Sequence, residues 1–362
     1  MSKNPVFCFC FNPLGAGQLH FANPHAYNEI YNVKNKWNKD TAVYGAFDMD
    51  QSSACFIKYE DAKPRRDVLS PMFSRSSILK MQGLLQERVS FFGILTRSLL
   101  HTFTQQVNVL CDALAEQYAA GKSSNLYLGF RCFATDVLTL FCYNKSLETT
   151  KVPDFHADIV VALEGMLPIL SLCKYSSSLV RVLHYLHYLP GWVAKNSGSP
   201  VLSALFCLRE VRLVSSQYAA SLWRVTSHGS PVALICVIFV LQLLAAQVDA
   251  VLRDPSELTH APHPIIYHAL LSPTANKGRP LPSRQSLLDE AAILLGAGSD
   301  STGIVLMVTA YYVLQNPPVR ERLEAELREA WPVLDEVPRY DVLEKLPYLV
   351  RAPCPDAFAD EA

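Results

Sequence analysis

Residues 286–316 read SLLDEAAILLGAGSDSTGIVLMVTAYYVLQN, and this stretch decides the fold. It is almost wholly apolar and contains no proline, which predicts one long helix of about 46 Å at a rise of about 1.5 Å per residue. Ser286 is predicted to cap the helix, and Asp289 and Glu290 follow in its first turn, where acids suit the positive end of the helix dipole. We expect this helix to be central and buried on most sides.

A small polar group, AGSDST at residues 297–302, interrupts the apolar helix at its centre. An unpaired buried polar group costs about 1–3 kcal/mol, and Gly298 costs about 1 kcal/mol relative to alanine inside a helix. The group therefore predicts a local opening of the helix that accommodates a ligand or water. The alternative is that Ser301 and Thr302 donate hydrogen bonds to the carbonyls four residues earlier, which bends a helix without any catalysis.

Composition excludes some classes of function. The chain has 362 residues, enough for one large domain or two, and half of them are hydrophobic. Its net charge of −1 gives no electrostatic footprint for nucleic acid. The 10 cysteines show no CxxC spacing, which favours buried reduced thiols. The histidine pairs His184/His187 and His260/His263 have no ligand partners nearby in the sequence, so we interpret them as packing or surface residues and predict no metal site from them.

The string AGSDST resembles the oxygen-binding motif of the cytochrome P-450 family: a small residue, glycine, any residue, an acid and two hydroxyl residues. It is followed by NPPV (316–319), then by the amphipathic run RERLEAELREAW (320–331), and later by LPYL (346–349). This order is similar to the I helix, the J helix and the entry to the K helix of a fungal member. The resemblance implies a mostly α, incomplete cytochrome P-450-like fold with a long central I-type helix.

The front half of the chain resembles the same family. YEDAKPRRDVLSPMFS (59–74) is similar to the family's C helix, in which an arginine binds a haem propionate, and by position that arginine is Arg66. The histidine or tryptophan that the family has four residues earlier is Ala62 here. The resemblance covers residues 18–350 with gaps.

The resemblance also implies roles for the residues of the motif. Asp300 and Ser301 would bind water and relay protons to iron-bound oxygen, which makes them the candidate catalytic residues. The family favours threonine where Ser301 stands, and Thr302 could compensate for this difference. Ala297 and Gly298 would let the helix lie close to the porphyrin and open a groove for dioxygen, so together with Arg66 they are the candidate cofactor-binding residues.

The function implied by the resemblance is that of a haem-thiolate monooxygenase. Such an enzyme hydroxylates a small apolar, secondary-metabolite-like substrate with dioxygen and with electrons from an NADPH–cytochrome P-450 reductase. The family usually resides at the endoplasmic reticulum membrane. The alternative from another class is a non-catalytic helical protein that binds a partner or an apolar ligand.

Three departures from the family pattern shape the remaining expectations. The Glu-x-x-Arg pair and the glycine-containing cysteine loop that ligates the haem iron do not occur, and Cys354 lies between two prolines. The segment 1–17 is atypical, with too short an apolar run for a membrane anchor or a secretory signal, and the tail 351–362 resembles no part of the family and is expected to be poorly ordered. We therefore expect a truncated or mis-spliced, inactive form consisting mainly of a partial domain over residues 18–350.

The rest of the chain is predicted to be helical, with two segments that look intrusive. Apolar spacing predicts helices, and turn-forming residues predict a loop at 272–283. Residues 90–106 separate a helix that family members run with little interruption. Residues 226–246 are predicted to be a buried helix or a family helix near the substrate entrance, a membrane helix, or translated intron sequence. The membrane alternative is weakened by the shortness of the apolar run and by Gln242. The predicted helices cover residues 74–90, 107–120, 131–147, 154–173 and 177–189.

Overall fold

The structure, a computed structural model, describes residues 11–79, 98–164, 232–333 and 338–351, apart from residues 16, 17, 22, 23, 33, 46, 48, 78 and 162. Over this part of the chain the protein is mostly α-helical, as predicted, with one short hairpin. The hairpin pairs β1 (Phe11–Gly15) with β2 (Gln18–Phe21) in antiparallel register and spans the predicted boundary between the segment 1–17 and the domain 18–350.

The α-helices follow in chain order, with short 3₁₀ turns between some of them. They are α1 (Pro24–Ile30), α2 (Thr41–Gly45), α3 (Tyr59–Leu69), α4 (Ser98–Ala119), α5 (Leu126–Tyr143), α6 (Val232–Arg253), α7 (Ile266–Leu270), α8 (Arg284–Gln315), α9 (Pro317–Ala330), α10 (Tyr340–Leu343) and α11 (Pro347–Arg351). The 3₁₀ turns are Thr149–Lys151, Pro153–Phe155 and Pro255–His260.

Helix α8 is the long helix predicted over residues 286–316, and it is unbroken over 32 residues. The prediction of its cap was wrong by three residues, because the Ser283 hydroxyl accepts the hydrogen bond from the backbone N–H of Ser286 at 3.1 Å. Ser286 is itself helical, and its hydroxyl donates to the carbonyl of Gln51 at 2.7 Å. The acids at 289 and 290 consequently lie beyond the first turn, where the helix dipole does not explain them.

Burial of α8 on most sides, the second expectation for this helix, is wrong for its second half. Helix α5 covers one side, and α6 also contacts α8. Leu314 is 55% exposed on one side of this half, and on the opposite side a stripe of residues at helical spacing remains exposed, including Val305 at 53%. We call its central part the open face of α8, defined by Ala297, Ser301, Ile304, Val305 and Tyr312.

Helices α5 and α8 pack closely and run antiparallel. Leu138 lies against Gly298, and Arg131 lies against Gly303, so residue numbers rise along one helix and fall along the other. A Cβ added at Gly298 would lie 2.8 Å from Leu138 Cδ2, and one added at Gly303 would lie 2.9 Å from the Cα of Arg131. The close approach of the two helices therefore requires glycine at Gly303, where the neighbour is backbone, whereas at Gly298 the Leu138 side chain could move aside.

The predicted run 226–246 forms most of α6, whose later residues Leu244, Val248 and Val251 are buried in the main core. Of these three residues only Leu244 belongs to the run 226–246, so the choice among the interpretations of that run stays a prediction. Helix α5 also contains a long apolar window, and α5 and α8 are long and apolar enough to span a membrane. Length and composition are weak grounds for that conclusion, because core helices of soluble proteins pass the same test.

Several further predictions can be compared with the structure. The helix predicted at 107–120 is part of α4, which begins earlier, inside the segment 90–106, and the helix predicted at 131–147 is α5. Residues 272–283 form the predicted loop. His263 is buried, with Nε2 at 3.0 Å from the carbonyl of Phe141, which is the predicted packing role. The helix predicted at 154–173 begins too early, because residues 154–157 are not α-helical and the described α-helical residues start at Asp158. The predictions for His184, His187, residues 165–173 and 177–189, most of 74–90, and the tail after Arg351 fall outside the described residues.

Candidate functional site

Asp300, the acid of the AGSDST motif, is bound by an arginine from the neighbouring helix. Arg131 of α5 donates from Nη2 to Asp300 Oδ1. The Arg131 side chain is 2% exposed and that of Asp300 is 21% exposed. The carboxylate therefore lies between α5 and solvent, at the flank of the open face.

The same guanidinium has three further partners. Its Nη1 donates to Tyr127 Oη at 3.1 Å and lies 3.5 Å from Glu164 Oε2, and the group stands 5.1 Å from the centre of the Tyr127 ring. The Tyr127 hydroxyl donates to Glu164 Oε1 at 3.3 Å, and burial raises its pKa while Arg131 lowers it. One buried cation thus joins two carboxylates, Glu164 and Asp300.

Sequence reasoning missed Arg131, although a signal was present. Arg131 is the one basic residue in the apolar stretch LYLGFRCFATDVLTLFCY (126–143). A charged side chain on a buried helix needs a partner, because an unpaired buried charge is very costly. The pairing could have been predicted as a requirement, though not with Asp300 as the partner.

Ser301 makes the hydrogen bond that was the alternative to a catalytic role. Its hydroxyl donates to the carbonyl of Ala297 at 2.7 Å, and Ser299 does the same to Leu295 at 2.8 Å. Ser301 is nevertheless exposed, and its oxygen can still accept a hydrogen bond on the open face. Thr302 is also exposed.

The two small residues of the motif lie on different sides of α8. Ala297 is exposed on the open face, whereas Gly298 faces Leu138 of α5. A flat ligand on the open face would meet Ala297. The predicted contact of Gly298 with a porphyrin stays a prediction, and in the structure the side of α8 that carries Gly298 is occupied by Leu138.

Two adjacent arginines of α3 point in different directions. Arg66, the predicted propionate ligand, is exposed, its guanidinium lies 5.8 Å from the centre of the Tyr59 ring, and no described ion pair includes it. Arg65 turns inward, and its Nη1 donates to Ser286 Oγ at 2.9 Å and to Glu290 Oε2 at 3.4 Å. Ala62 is 1% exposed, so its position offers no polar contact.

A second polar cluster, which we call the α8 anchor, consists of Asp289 and Glu290 with their donors Gln51, Ser53 and Arg65. Ser53 donates to Glu290 from its backbone N–H at 2.8 Å and from its hydroxyl at 2.5 Å, and the Gln51 N–H donates to Asp289 at 3.1 Å. Glu290 is fully buried. Burial raises the pKa of its carboxyl, and the hydrogen bonds from Ser53 and then Arg65 lower it part of the way back.

Comparison with known proteins shows similarity to one family. Residues 242–352 match the family model of cytochrome P-450. The chain is 28% identical over 339 residues to the cytochrome P-450 monooxygenase flvC of Aspergillus flavus, across 92% of this chain and 52% of the relative. It is 25% identical over 336 residues to the monooxygenase macH of Penicillium terrestre, across 93% of this chain and 55% of the relative. The chain is related to the cytochrome P-450 family.

Structural comparison agrees with this relationship at the level of the fold. A solved crystal structure of a cytochrome P-450 matches with a TM-score of 0.59 at 12% sequence identity, across 92% of this chain and 59% of that one. The chain spans about half the length of the curated relatives it matches, 52% of flvC and 55% of macH. The activity of a whole cytochrome P-450 is therefore a matter for proposal.

The open face fits one part of a haem, its flat apolar macrocycle. It combines the small Ala297 with the exposed apolar side chains of Ile304 and Val305. Polar groups flank it at Asp300 and Ser301. These features suit a planar ligand that is apolar in the middle.

Three of the four described cysteines do not fit the other part, the iron. Cys55, Cys132 and Cys142 are buried, and burial raises the pKa of Cys132 to about 11 and that of Cys142 to about 12. The thiolate, not the thiol, is the metal ligand. Among the described residues no group of His, Cys, Asp or Glu could hold a metal ion. No catalytic step is therefore assigned to an iron centre in this part of the chain.

Thiol reactivity tests whether Cys111 is exposed while Cys132 and Cys142 are buried. We expect Cys111, which is exposed, to react with a thiol-specific reagent at neutral pH while Cys132 and Cys142 react only after unfolding. Peptide mapping by mass spectrometry identifies the modified sites, and a Cys111→Ser variant provides the control. Rapid labelling of Cys132 in the folded protein would contradict the burial described here.

Proposed function

We propose that this chain forms the oxygen-binding side of a cytochrome P-450 monooxygenase that hydroxylates a small apolar, secondary-metabolite-like substrate. The single observation that carries the proposal is the open face of α8, where Ala297 and Ser301 stand beside the carboxylate of Asp300. The relatives support the reaction class, because flvC and macH are named as monooxygenases and another, ivoC of Emericella nidulans, as an N-acetyltryptophan 6-hydroxylase.

The proposed reaction inserts one atom of dioxygen into a C–H bond of the substrate and reduces the other atom to water. It consumes two electrons and two protons, and a reductase partner that uses NADPH supplies the electrons. A haem, when bound, supplies the activation of dioxygen. The protein supplies a surface that orients the reactants and groups that hold protons.

The proposed roles of the α8 residues follow from their positions on the helix. Ala297 leaves room on the open face, so a planar ligand can approach the helix backbone. Ser301 donates to the carbonyl of Ala297, which leaves its oxygen as an acceptor toward water or ligand. To donate a proton toward the open face, the Ser301 hydroxyl must first rotate away from that carbonyl.

Asp300 lies at the edge of the same face, with its carboxylate held in place by Arg131. Its pairing with Arg131 fixes the carboxylate through a charge-assisted hydrogen bond, while its partial exposure keeps it in contact with water. Water bound between Asp300 and Ser301 could then carry protons from solvent to the face. Thr302 adds a second exposed hydroxyl at this point of the helix.

A bulky substitution on the open face tests the proposal. We expect the full chain to bind haemin in an absorbance titration and Ala297→Trp to weaken this binding about tenfold, because an indole there keeps a flat ligand from the helix. Ala115→Trp is the matched control, since Ala115 is an exposed alanine on α4. Equal haemin affinity in Ala297→Trp and Ala115→Trp would show that the open face is not the haem face.

A non-catalytic protein that binds an apolar ligand is the second candidate function. The burial of Cys55, Cys132 and Cys142 favours it, because none of the three is available as a thiolate. The reduced, carbon monoxide-treated protein with added haemin distinguishes the two functions. The red-shifted absorbance band of a thiolate-ligated haem supports the monooxygenase, and an imidazole- or water-type spectrum supports the second candidate.

A further inference from the structure

The α8 anchor joins three separated parts of the chain at one buried carboxylate. Ser53 contributes two hydrogen bonds to Glu290 from the segment before α3, and Arg65 contributes one from within α3. Arg65 is additionally held by Ser286 at 2.9 Å, one turn before Glu290 on α8. Helix α3 is therefore fastened to α8 through the guanidinium of Arg65.

The bond between Arg65 and Glu290 also affects the direction of the next side chain, Arg66. Successive side chains on an α-helix point about 100° apart, since the helix has about 3.6 residues per turn. The bonds of Arg65 to Ser286 and Glu290 help to fix the rotation of α3 about its axis, together with the burial of its apolar residues Ala62, Val68 and Leu69. Arg66 is then directed outward, where the structure shows it exposed.

The negative charge on Glu290 compensates the positive charge of Arg65, which a neutral hydrogen-bond acceptor could not do. Ser53 could still pair with a glutamine at this position, because the amide oxygen accepts from the backbone N–H and the Ser53 hydroxyl can rotate to accept from the amide. The Arg65 guanidinium is 11% exposed and has Glu290 as its described ion-pair partner. Only the carboxylate compensates its charge.

We propose that Glu290 is a positioning residue for Arg66: through Arg65 it fixes the orientation of α3, and it thereby presents Arg66 to an anionic ligand group. The anionic group is a carboxylate of the size and type carried by a porphyrin edge, and this identity rests on the proposed function. The fixing of α3 by Glu290 does not depend on it.

Hydrogen–deuterium exchange of the full chain tests the fixing of α3 without any ligand. In Glu290→Gln we expect the amides of residues 59–69 to exchange about fivefold faster or more, because α3 loses its charged tie to α8. Glu321→Gln, an exposed acid on α9, is the matched control and leaves this exchange unchanged. Ser286→Ala removes the other acceptor of Arg65 and is expected to act in the same direction. Unchanged exchange of α3 in Glu290→Gln overturns the proposal, whatever the result in Ser286→Ala.

Binding of two porphyrins tests the presentation of Arg66. Protoporphyrin IX carries two carboxylates, and its dimethyl ester carries none. We expect Arg66→Gln and Glu290→Gln each to weaken binding of the free acid, by about tenfold and about threefold or more respectively, and to leave the ester unaffected. The double variant should bind the acid no more weakly than Arg66→Gln, because Glu290 acts through Arg66.

The outcomes separate this proposal from the function on which it rests. If Arg66→Gln weakens binding of the acid and Glu290→Gln does not, the positioning role is overturned and the proposed function stands. If Arg66→Gln has no effect on the acid, the role of Arg66 in the proposed function fails, and the exchange measurement alone decides whether Glu290 fixes α3. Equal losses of acid and ester binding in Glu290→Gln show general loosening and overturn the positioning role.

Discussion

A Gly303→Val variant is expected to lose about 3 kcal/mol of its free energy of unfolding, because the new side chain meets backbone. A Cβ at this position would lie 2.9 Å from the Cα of Arg131 and 3.1 Å from its backbone nitrogen. Backbone cannot turn aside as a flexible side chain can, so α5 and α8 must separate. The separation also stretches the pair between Arg131 and Asp300, which lies at the same crossing.

The same helix offers a matched control for Gly303. Nothing lies within 4 Å of a Cβ built on Gly296, so Gly296→Val should change the free energy of unfolding by less than about 1 kcal/mol. Urea denaturation followed by circular dichroism measures both variants. Equal stability of the two would mean that the α5–α8 contact is looser than the structure shows.

An Asp136→Ala variant is expected to lose at least about 3 kcal/mol, because it orphans several buried donors at once. The fully buried carboxylate of Asp136 accepts from the Thr149 N–H at 2.9 Å, and from the Thr150 N–H and hydroxyl, both at 2.8 Å. These bonds fasten the 3₁₀ turn Thr149–Lys151 to α5. The alanine satisfies none of them.

Urea denaturation again provides the measurement for Asp136. Asp112→Ala is the control, since Asp112 is exposed on α4 and its loss should change stability by less than about 0.5 kcal/mol. Asp136→Asn keeps one acceptor and should fall between the two. A loss in Asp136→Ala no larger than that in Asp112→Ala would refute the assigned role.

The long helix α8 could be predicted from sequence because a proline-free apolar run of this length is compatible with few structures other than a helix. Its burial could not be predicted in the same way. Apolar side chains indicate that a face can be buried, but only the neighbouring elements decide whether it is, and Val305 and Leu314 remain exposed. The cap was misplaced because Ser283 and Ser286 are both plausible capping residues three positions apart.

The sequence was enough to name residues of the candidate site, but it did not predict which side chains they pair with. Asp300 and Ser301 were named because AGSDST resembles a family motif, and the structure places Ser301 on an exposed face, while their catalytic roles stay a prediction. The partner of Asp300 was missed because Arg131 is 169 residues away along the chain, and periodicity carries no information about such contacts. Glu290 was interpreted as a first-turn acid, whereas it is buried by the segment containing Ser53, which local sequence does not indicate.

Because α5 and α8 are far apart in the sequence, their antiparallel contact can form only late in synthesis of the protein. Arg131 and Asp300 are separated by 169 residues, and Tyr143 and its acceptor Ala291 by 148. At about 5–20 residues per second, α5 leaves the ribosome roughly 10–30 s before its partner exists. During that interval its buried guanidinium has no carboxylate from α8, and its apolar side has no cover from that helix. The nascent chain is therefore most prone to aggregation in this window, before the last third of the chain has emerged.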